Sequence, residues 1–220
     1  MVCHNVRMKL ESEGIIVSMR PFGERDAVAH IFTESFGVLS GMLRGAGANS
    51  KNKPMVGQVG AVVWNARLDS QLGVFHFEAQ KNLAIAAMMD SLKLAYMNSM
   101  FALIETLLPE REAYPNLYNA TLKTLTDINA DSYLQWELCL LRDLGYALDL
   151  SHCSGCGRTD NLIYLSPRTG RAVCGDCGEP YMDKLFKLPI NLHTTLRFLE
   201  NVCRQQDVVI PQFRNFLCKS

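Results

Sequence analysis

The sequence predicts an α+β chain of several domains: a small β-barrel or sandwich first, then helices, with a four-cysteine metal element set into the helical part. Three observations carry this. Short β-like runs fill residues 14–81, the texture turns helical near Asn82, and Cys153, Cys156, Cys174 and Cys177 are spaced C-x2-C-x17-C-x2-C. The expected units are 1–81, 82–152, 153–178 and 179–220, the second and last being two parts of one helical domain. A chain of 220 residues accommodates such a division.

The β part shows runs at Gly14–Met19, Ala27–Thr33, Val38–Leu43, Val56–Leu68 and Leu72–Gln80. Turn residues separate them at Pro21–Gly23, Ser35–Gly37, Gly45–Pro54 and Asp69–Gln71. Five short strands at this spacing fit a small antiparallel barrel or sandwich. Gly45–Pro54 is the most loop-like stretch and is expected to be mobile until something binds it.

From Leu83 to Leu108 the chain is rich in Ala, Leu and Met and free of Gly and Pro, which predicts one helix with Leu92, Tyr96, Met100, Leu103 and Leu107 on its packing stripe. Further helices are expected over 116–128 and 133–144, the second opened by Ser132 with Gln135 as a capping box and stopped by Gly145. Another is expected over 192–205, after Pro189.

A C-x2-C pair delivers two sulfurs to one metal, and the second pair returns to the same point if the 17 residues between them form a hairpin. Leu162–Leu165 and Arg171–Val173 supply its arms and Ser166–Gly170 its turn. Four thiolates close a tetrahedral sphere, so Cys153, Cys156, Cys174 and Cys177 are expected to hold a structural Zn2+ with no open position for substrate. His152 adjoins Cys153 too closely to chelate the same ion well. The other cysteines are scattered; Cys139 lies in an apolar helical run and is expected to pack.

Composition excludes some classes of function. With 22 Lys+Arg against 22 Asp+Glu the formal charge is zero, which argues against binding a polyanion by bulk charge. The longest charge-free run, the 13 residues of Pro54–Ala66, is too short to span a membrane. Met1–Glu13 shows no secretion signal, so a cytoplasmic chain without a disulfide framework is expected. The chain contains no P-loop, no G-x-S-x-G and no H-x-E ahead of the cysteines, and no enzyme is expected.

The neutral total hides segregation. No acid occurs between Glu34 and Asp69, whereas Arg44, Lys51, Lys53 and Arg67 all fall there, and residues 82–152 are acidic. Local potential steers a polyanion. On a barrel, Arg20, Arg25, Arg44, Lys51 and Lys53 are candidates for nucleic-acid phosphates, with Phe22, Phe36 and Trp64 as stacking platforms, at least two of which are expected to be buried.

The chain resembles the recombination mediator family RecO. The likeness is carried by Gly14-Ile-Ile-Val-Ser-Met-Arg-Pro-Phe-Gly-Glu-Arg-Asp26, by Ile31-Phe-Thr-Glu-Ser-Phe-Gly-Val-Leu-Ser40 followed by Arg44-Gly-Ala46, and by Trp136-Glu-Leu-Cys-Leu-Leu-Arg-Asp-Leu-Gly-Tyr146 leading into the cysteines. It covers nearly the whole chain, and the order of the segments is more specific than any one of them. Met1–Arg7 precedes the family-like start and leaves Met8 as an alternative initiator.

The resemblance implies an N-terminal OB-fold, a helical C-terminal domain and an inserted zinc element. It implies binding of single- and double-stranded DNA, annealing of complementary strands, and cooperation with RecR to load RecA on DNA coated with single-strand-binding protein, in the bacterial cytoplasm and at the nucleoid during repair. Some members lack the cysteines, so zinc is not thereby essential to the activity. An apolar groove in the helical domain, near Arg197 or Arg204, is expected to take the acidic, aromatic tail of single-strand-binding protein. The competing expectation is a zinc-ribbon scaffold or RNA-associated module without annealing activity.

Overall fold

The structure, a computed structural model, describes residues 8–47, 53–66 and 72–218. Five strands come first: β1 (Met8–Phe22), β2 (Asp26–Thr33), β3 (Gly37–Leu43), β4 (Gln58–Ala66) and β5 (Gly73–Asn82). They close into a barrel in the order β1-β2-β3-β5-β4. All neighbours are antiparallel except β3 and β5, which pair in parallel over only Gly41–Leu43 and Gly73–Phe75. This is an OB-like barrel. β1 runs on through the expected turn at Pro21 because Pro21 and Phe22 still pair with Ala27 and Asp26.

Period-2 alternation explains the barrel's two faces, with one shift. Ile16, Ala27, Ala29, Ile31, Leu39, Leu43, Val62, Trp64 and Phe75 fill the interior. The β1–β2 register slips between Ile16 and Ser18, so Val17 is a bulge and the facing of β1 changes there. Before the bulge, Ile15 and Val17 join Phe32, Val38 and Val59 in the core shared with the helices. Beyond it, Ser18, Arg20 and Phe22 are at least partly exposed.

The expected helix over 83–108 is two: α1 (Ile85–Met88) and α2 (Ser91–Leu107). Asp90 breaks it, since its extended backbone and its carboxylate, accepting from Leu92 and Lys93 N–H, make an N-cap. Tyr96, Met100, Leu103 and Leu107 are buried as expected, whereas Leu92, beside the cap, is half exposed. Each fully buried Leu or Met contributes about 1.5–3 kcal/mol of transfer free energy.

Then follow α3 (Pro115–Thr126) and α4 (Ala130–Asp143). The capping box of α4 lies one turn earlier than expected. Asn129 is the cap, accepting from Ser132 N–H, and Ser132 returns the bond by accepting from Asn129 N–H. The cysteine element supplies the hairpin β6 (Leu162–Leu165) and β7 (Ala172–Cys174), the turn α5 (Gly175–Gly178) and an unexpected third strand, β8 (Phe186–Lys187), pairing with β6. α6 (Leu192–Gln205) is as expected, and α7 (Gln212–Phe216) is a further helix.

Barrel and helices are joined by packing and by a chain crossing. After α2, Glu110 makes a parallel bridge to Val38 and Arg111 N–H donates to the Val38 carbonyl, 3.0 Å. The crossing thus continues the sheet where β3 lacks β5. Gly37, at φ +64°, faces the Glu112 carbonyl so closely that a Cβ would overlap it, so this approach requires glycine.

Candidate nucleic-acid interface and metal centre

Beyond the Val17 bulge the outer face of β1–β2–β3 carries Ser18, Arg20 and Phe22 on β1, Val28 and His30 on β2, and Ser40 and Met42 on β3. The register pairs Arg20 with Val28, Val28 with Met42, and His30 with Ser18 and Ser40. Arg44 follows at the end of β3. Arg20, Phe22, Arg25 and Arg44 are exposed. At the same rim Gly47 N–H donates to the Arg25 carbonyl, 2.8 Å, and Gly45 N–H to Asp26 Oδ1, 3.0 Å. These bonds hold the Arg25 turn beside the chain leaving Arg44. Gly47 permits the approach, because a Cβ there would meet the backbone of Glu24 and Arg25.

Residues 45–47, expected to be mobile, are therefore pinned. The connection returns through half-buried Lys53 to Gly57, whose N–H donates to the Ile16 carbonyl, 2.8 Å. Lys51 lies outside the described residues. Among the described residues Arg25, Arg44 and Lys53 form no ion pair. Arg20 does: its Nη2 lies 3.1 Å from Glu105 Oε1 of α2.

The three expected platforms divide differently from expectation. Phe22 is 57% exposed, Phe36 is half-buried and only Trp64 is fully buried. Trp64 points into the barrel, donates from Nε1 to the Ser40 carbonyl at 2.9 Å, and is covered by the Arg111 guanidinium 4.9 Å from its ring centre. It offers no face to a base. Phe22 remains because the bulge turns it outward.

The four cysteines meet at one point. Their Sγ atoms all lie within 4.8 Å of one another, and Cys156 and Cys174 are 3.7 Å apart. A tetrahedron with Zn–S of about 2.3 Å has edges of about 3.8 Å. Cys153 Sγ accepts from the backbone N–H of Cys174 (3.3 Å) and Gly155 (3.4 Å). Those bonds, that of Cys174 first, bring its thiol down to about 6, while hydrogen bonding with Cys174 and Cys156 pushes Cys177 up to about 12. Gly155 passes close to Cys177 Sγ, where a Cβ would press at 3.2 Å. Spacing, N–H donors and mutual distance suit a metal-thiolate site, and all four cysteines are free thiols. The element is anchored to the helices by Leu165, fully buried in their core, and by Phe186 packed edge-on against Phe198 of α6.

A groove of about 410 Å3 lies between the segment after α4, the β6–β7 turn and α6; Tyr146, Leu148, Pro167 and Phe198 line it, with Arg168 and Arg204. Arg204 is thus at the groove, whereas Arg197 lines a separate depression and pairs with Glu200 at 3.3 Å. Arg168, in the hairpin turn, was not expected there; its distance in sequence from α6 hides the meeting. Cys139 is half-buried, and burial followed by Asp143 raises its thiol, which leaves it a poor nucleophile. Among the described residues no helix is long and apolar enough to cross a membrane.

Comparison with known families decides what kind of protein carries these features. Residues 8–80 match the family model described as Recombination protein O N terminal, and residues 88–217 that described as Recombination protein O C terminal. The chain belongs to the RecO family. It is 40% identical over 190 residues to the DNA repair protein RecO of Rhodospirillum centenum, covering 83% of this chain and 76% of that protein. It is 42% identical over 190 residues to the DNA repair protein RecO of Roseobacter denitrificans, covering 83% and 78%. As a RecO-family DNA repair protein with an OB-like N-terminal part and a helical C-terminal part, it confirms the resemblance its sequence motifs carry.

Proposed function

We propose that this RecO-family chain binds single- and double-stranded DNA on the outer face of its barrel, anneals complementary strands, and with RecR helps load RecA on DNA coated with single-strand-binding protein. The observation that carries the proposal is the convergence on one rim of Arg25 and Arg44, unpaired among the described residues, with exposed Phe22 on the same face. Arg20, Arg25, Arg44, Lys51 and Lys53 hold phosphates, and Phe22 stacks on a base. Neutralising two strands lowers the repulsion that slows their pairing, and no covalent chemistry is needed. The work takes place in the bacterial cytoplasm and at the nucleoid.

Cys153, Cys156, Cys174 and Cys177 hold a structural Zn2+, which ties the two knuckles together. The groove edged by Arg168 and Arg204 receives the acidic, aromatic tail of single-strand-binding protein, its apolar walls taking the aromatic group and its arginines the carboxylates. The division of labour follows units 1–81, 82–152, 153–178 and 179–220.

The test is annealing of complementary oligonucleotides precoated with single-strand-binding protein. The wild type accelerates it, Arg25→Ala/Arg44→Ala/Lys53→Ala loses most of the acceleration, and Arg168→Ala/Arg204→Ala loses it on coated but not on bare DNA. Wild-type protein that leaves the rate unchanged on both substrates contradicts the proposal.

A further inference from the structure

Three donors from the barrel's outer face converge on a single oxygen. Arg20 Nη2 lies 3.1 Å from Glu105 Oε1, Ser18 Oγ 3.1 Å and His30 Nδ1 2.7 Å. Two strands and the bulge build the arrangement. Ser18 and Arg20 are outward neighbours on β1 after Val17, and His30 stands opposite Ser18 on β2. A guanidinium, a hydroxyl and an imidazole N–H around one anionic oxygen make a phosphate-type site. The oxygen filling it belongs to the helical part, since Glu105 is on α2. Helix packing alone does not call for a carboxylate here, because the buried surface of α2 is made by Phe101, Leu103, Ile104 and Leu107 on either side of it.

The site is half-open, with the Arg20 side chain 75% exposed and those of His30 and Glu105 25% and 23% exposed. It also lies in the outward row that runs on to Phe22, so a strand stacked on Phe22 passes its backbone over Arg20. We infer that Ser18, Arg20 and His30 form a binding site for a backbone phosphate of the bound strand, and that Glu105 is its internal stand-in, displaced when the strand arrives. The inference rests on the DNA-binding face proposed above. Its consequence is coupling: full engagement of DNA exchanges an interdomain bond for a bond to phosphate, so the α2 end loosens from β1 and β2 as the strand seats. The affinity of the face is correspondingly held below what its cations would give alone.

The experiment is fluorescence anisotropy of a single-stranded oligonucleotide across salt concentrations. The proteins are the wild type, Glu105→Gln, Arg20→Ala, Glu105→Gln/Arg20→Ala and Arg44→Ala/Lys53→Ala. Glutamine keeps an oxygen for the three donors and removes only the charge. Glu105→Gln is expected to bind about five-fold more tightly, with a salt slope steeper by about 0.7, as one more neutralised phosphate requires. Adding Arg20→Ala abolishes both gains, while Arg20→Ala alone changes wild-type affinity less than two-fold, roughly. Unchanged affinity and slope in Glu105→Gln overturns the inference. So does an Arg20→Ala effect as large in the wild type as in the Gln background, a comparison that stands even if Glu105→Gln folds poorly. If Arg44→Ala/Lys53→Ala binds like the wild type, the DNA-binding face itself is wrong and the inference falls with it. Inorganic phosphate at matched ionic strength is the last arm. Tighter phosphate binding by Glu105→Gln without tighter oligonucleotide binding assigns the site to free phosphate and overturns the strand.

Discussion

Arg214 of α7 grips Glu137 of α4 at the centre of the helical part, both side chains wholly buried. Nε reaches Glu137 Oε1, and Nη2 lies 3.0 Å from Oε2 while also donating to the Leu192 carbonyl and Thr195 Oγ1. Tyr133 and Thr195 donate to the same carboxylate, and Ser99 completes the network through Tyr133. Burial opposes the Arg214 charge, but Glu137 outweighs it and holds the guanidinium above its ordinary value. The pair fixes a five-residue helix that could not persist by itself.

Removing one partner strands a buried charge. Arg214→Met is therefore expected to destabilise the helical part by about 3–5 kcal/mol, and Glu137→Leu/Arg214→Met to recover much of that stability. Urea unfolding followed by far-UV circular dichroism checks both, and an Arg214→Met effect under about 1 kcal/mol would mean that water reaches the pair.

Metal analysis of freshly purified protein is expected to find about one zinc per chain, absent from Cys153→Ser/Cys156→Ser. Chelation should raise hydrogen exchange at Leu165 and Ala172, which the knuckles hold in place, and leave the barrel's exchange as it was. Wild-type protein without zinc would contradict the assignment.

Glu105 gives a pH dependence with a definite sign. The hydrogen bond from His30, ahead of burial, which opposes it, holds the carboxyl below its ordinary value. Its stabilisation is therefore complete above the unfolded carboxyl range, about pH 4.3, and is lost as pH falls through the folded value. Between about pH 5 and pH 3, the Tm of the wild type should fall more than that of Glu105→Gln. Parallel curves would show that Glu105 carries no such linkage.

Phe22 and Trp64 make opposite predictions for DNA. Phe22→Ala should weaken single-strand binding by about 1–3 kcal/mol, the range for one stacked base. Tryptophan fluorescence should change little on binding, since Trp64 and Trp136 are both buried. Strong quenching with unchanged Phe22→Ala affinity would reverse the assignment.

The order of elements was legible because local rules govern it: alternation gave five strands, apolar periodicity gave the helices, and cysteine spacing gave the knuckles. What escaped depends on partners distant in sequence. Asp90 and Asn129 caps differ from their neighbours only in backbone geometry, so the helix starts shifted. The Val17 bulge reverses the facing of β1, which no alternation rule locates, and with it the fates of Phe22 and Arg20. Glu137 left a readable sign, a lone acid in the apolar run Trp136–Leu141, but nothing local names Arg214, 77 residues on. The groove joins Tyr146, Arg168 and Arg204 only after the hairpin has folded back on α6.

The central claim is that a confined positive rim on a neutral protein grips DNA, and its most direct test is the salt dependence of single-strand binding. For the wild type, log K should fall linearly with log[salt], and Arg25→Ala/Arg44→Ala should flatten the slope by about 0.7 for each phosphate no longer neutralised. A slope identical in wild type and variant, at equal affinity, would contradict it.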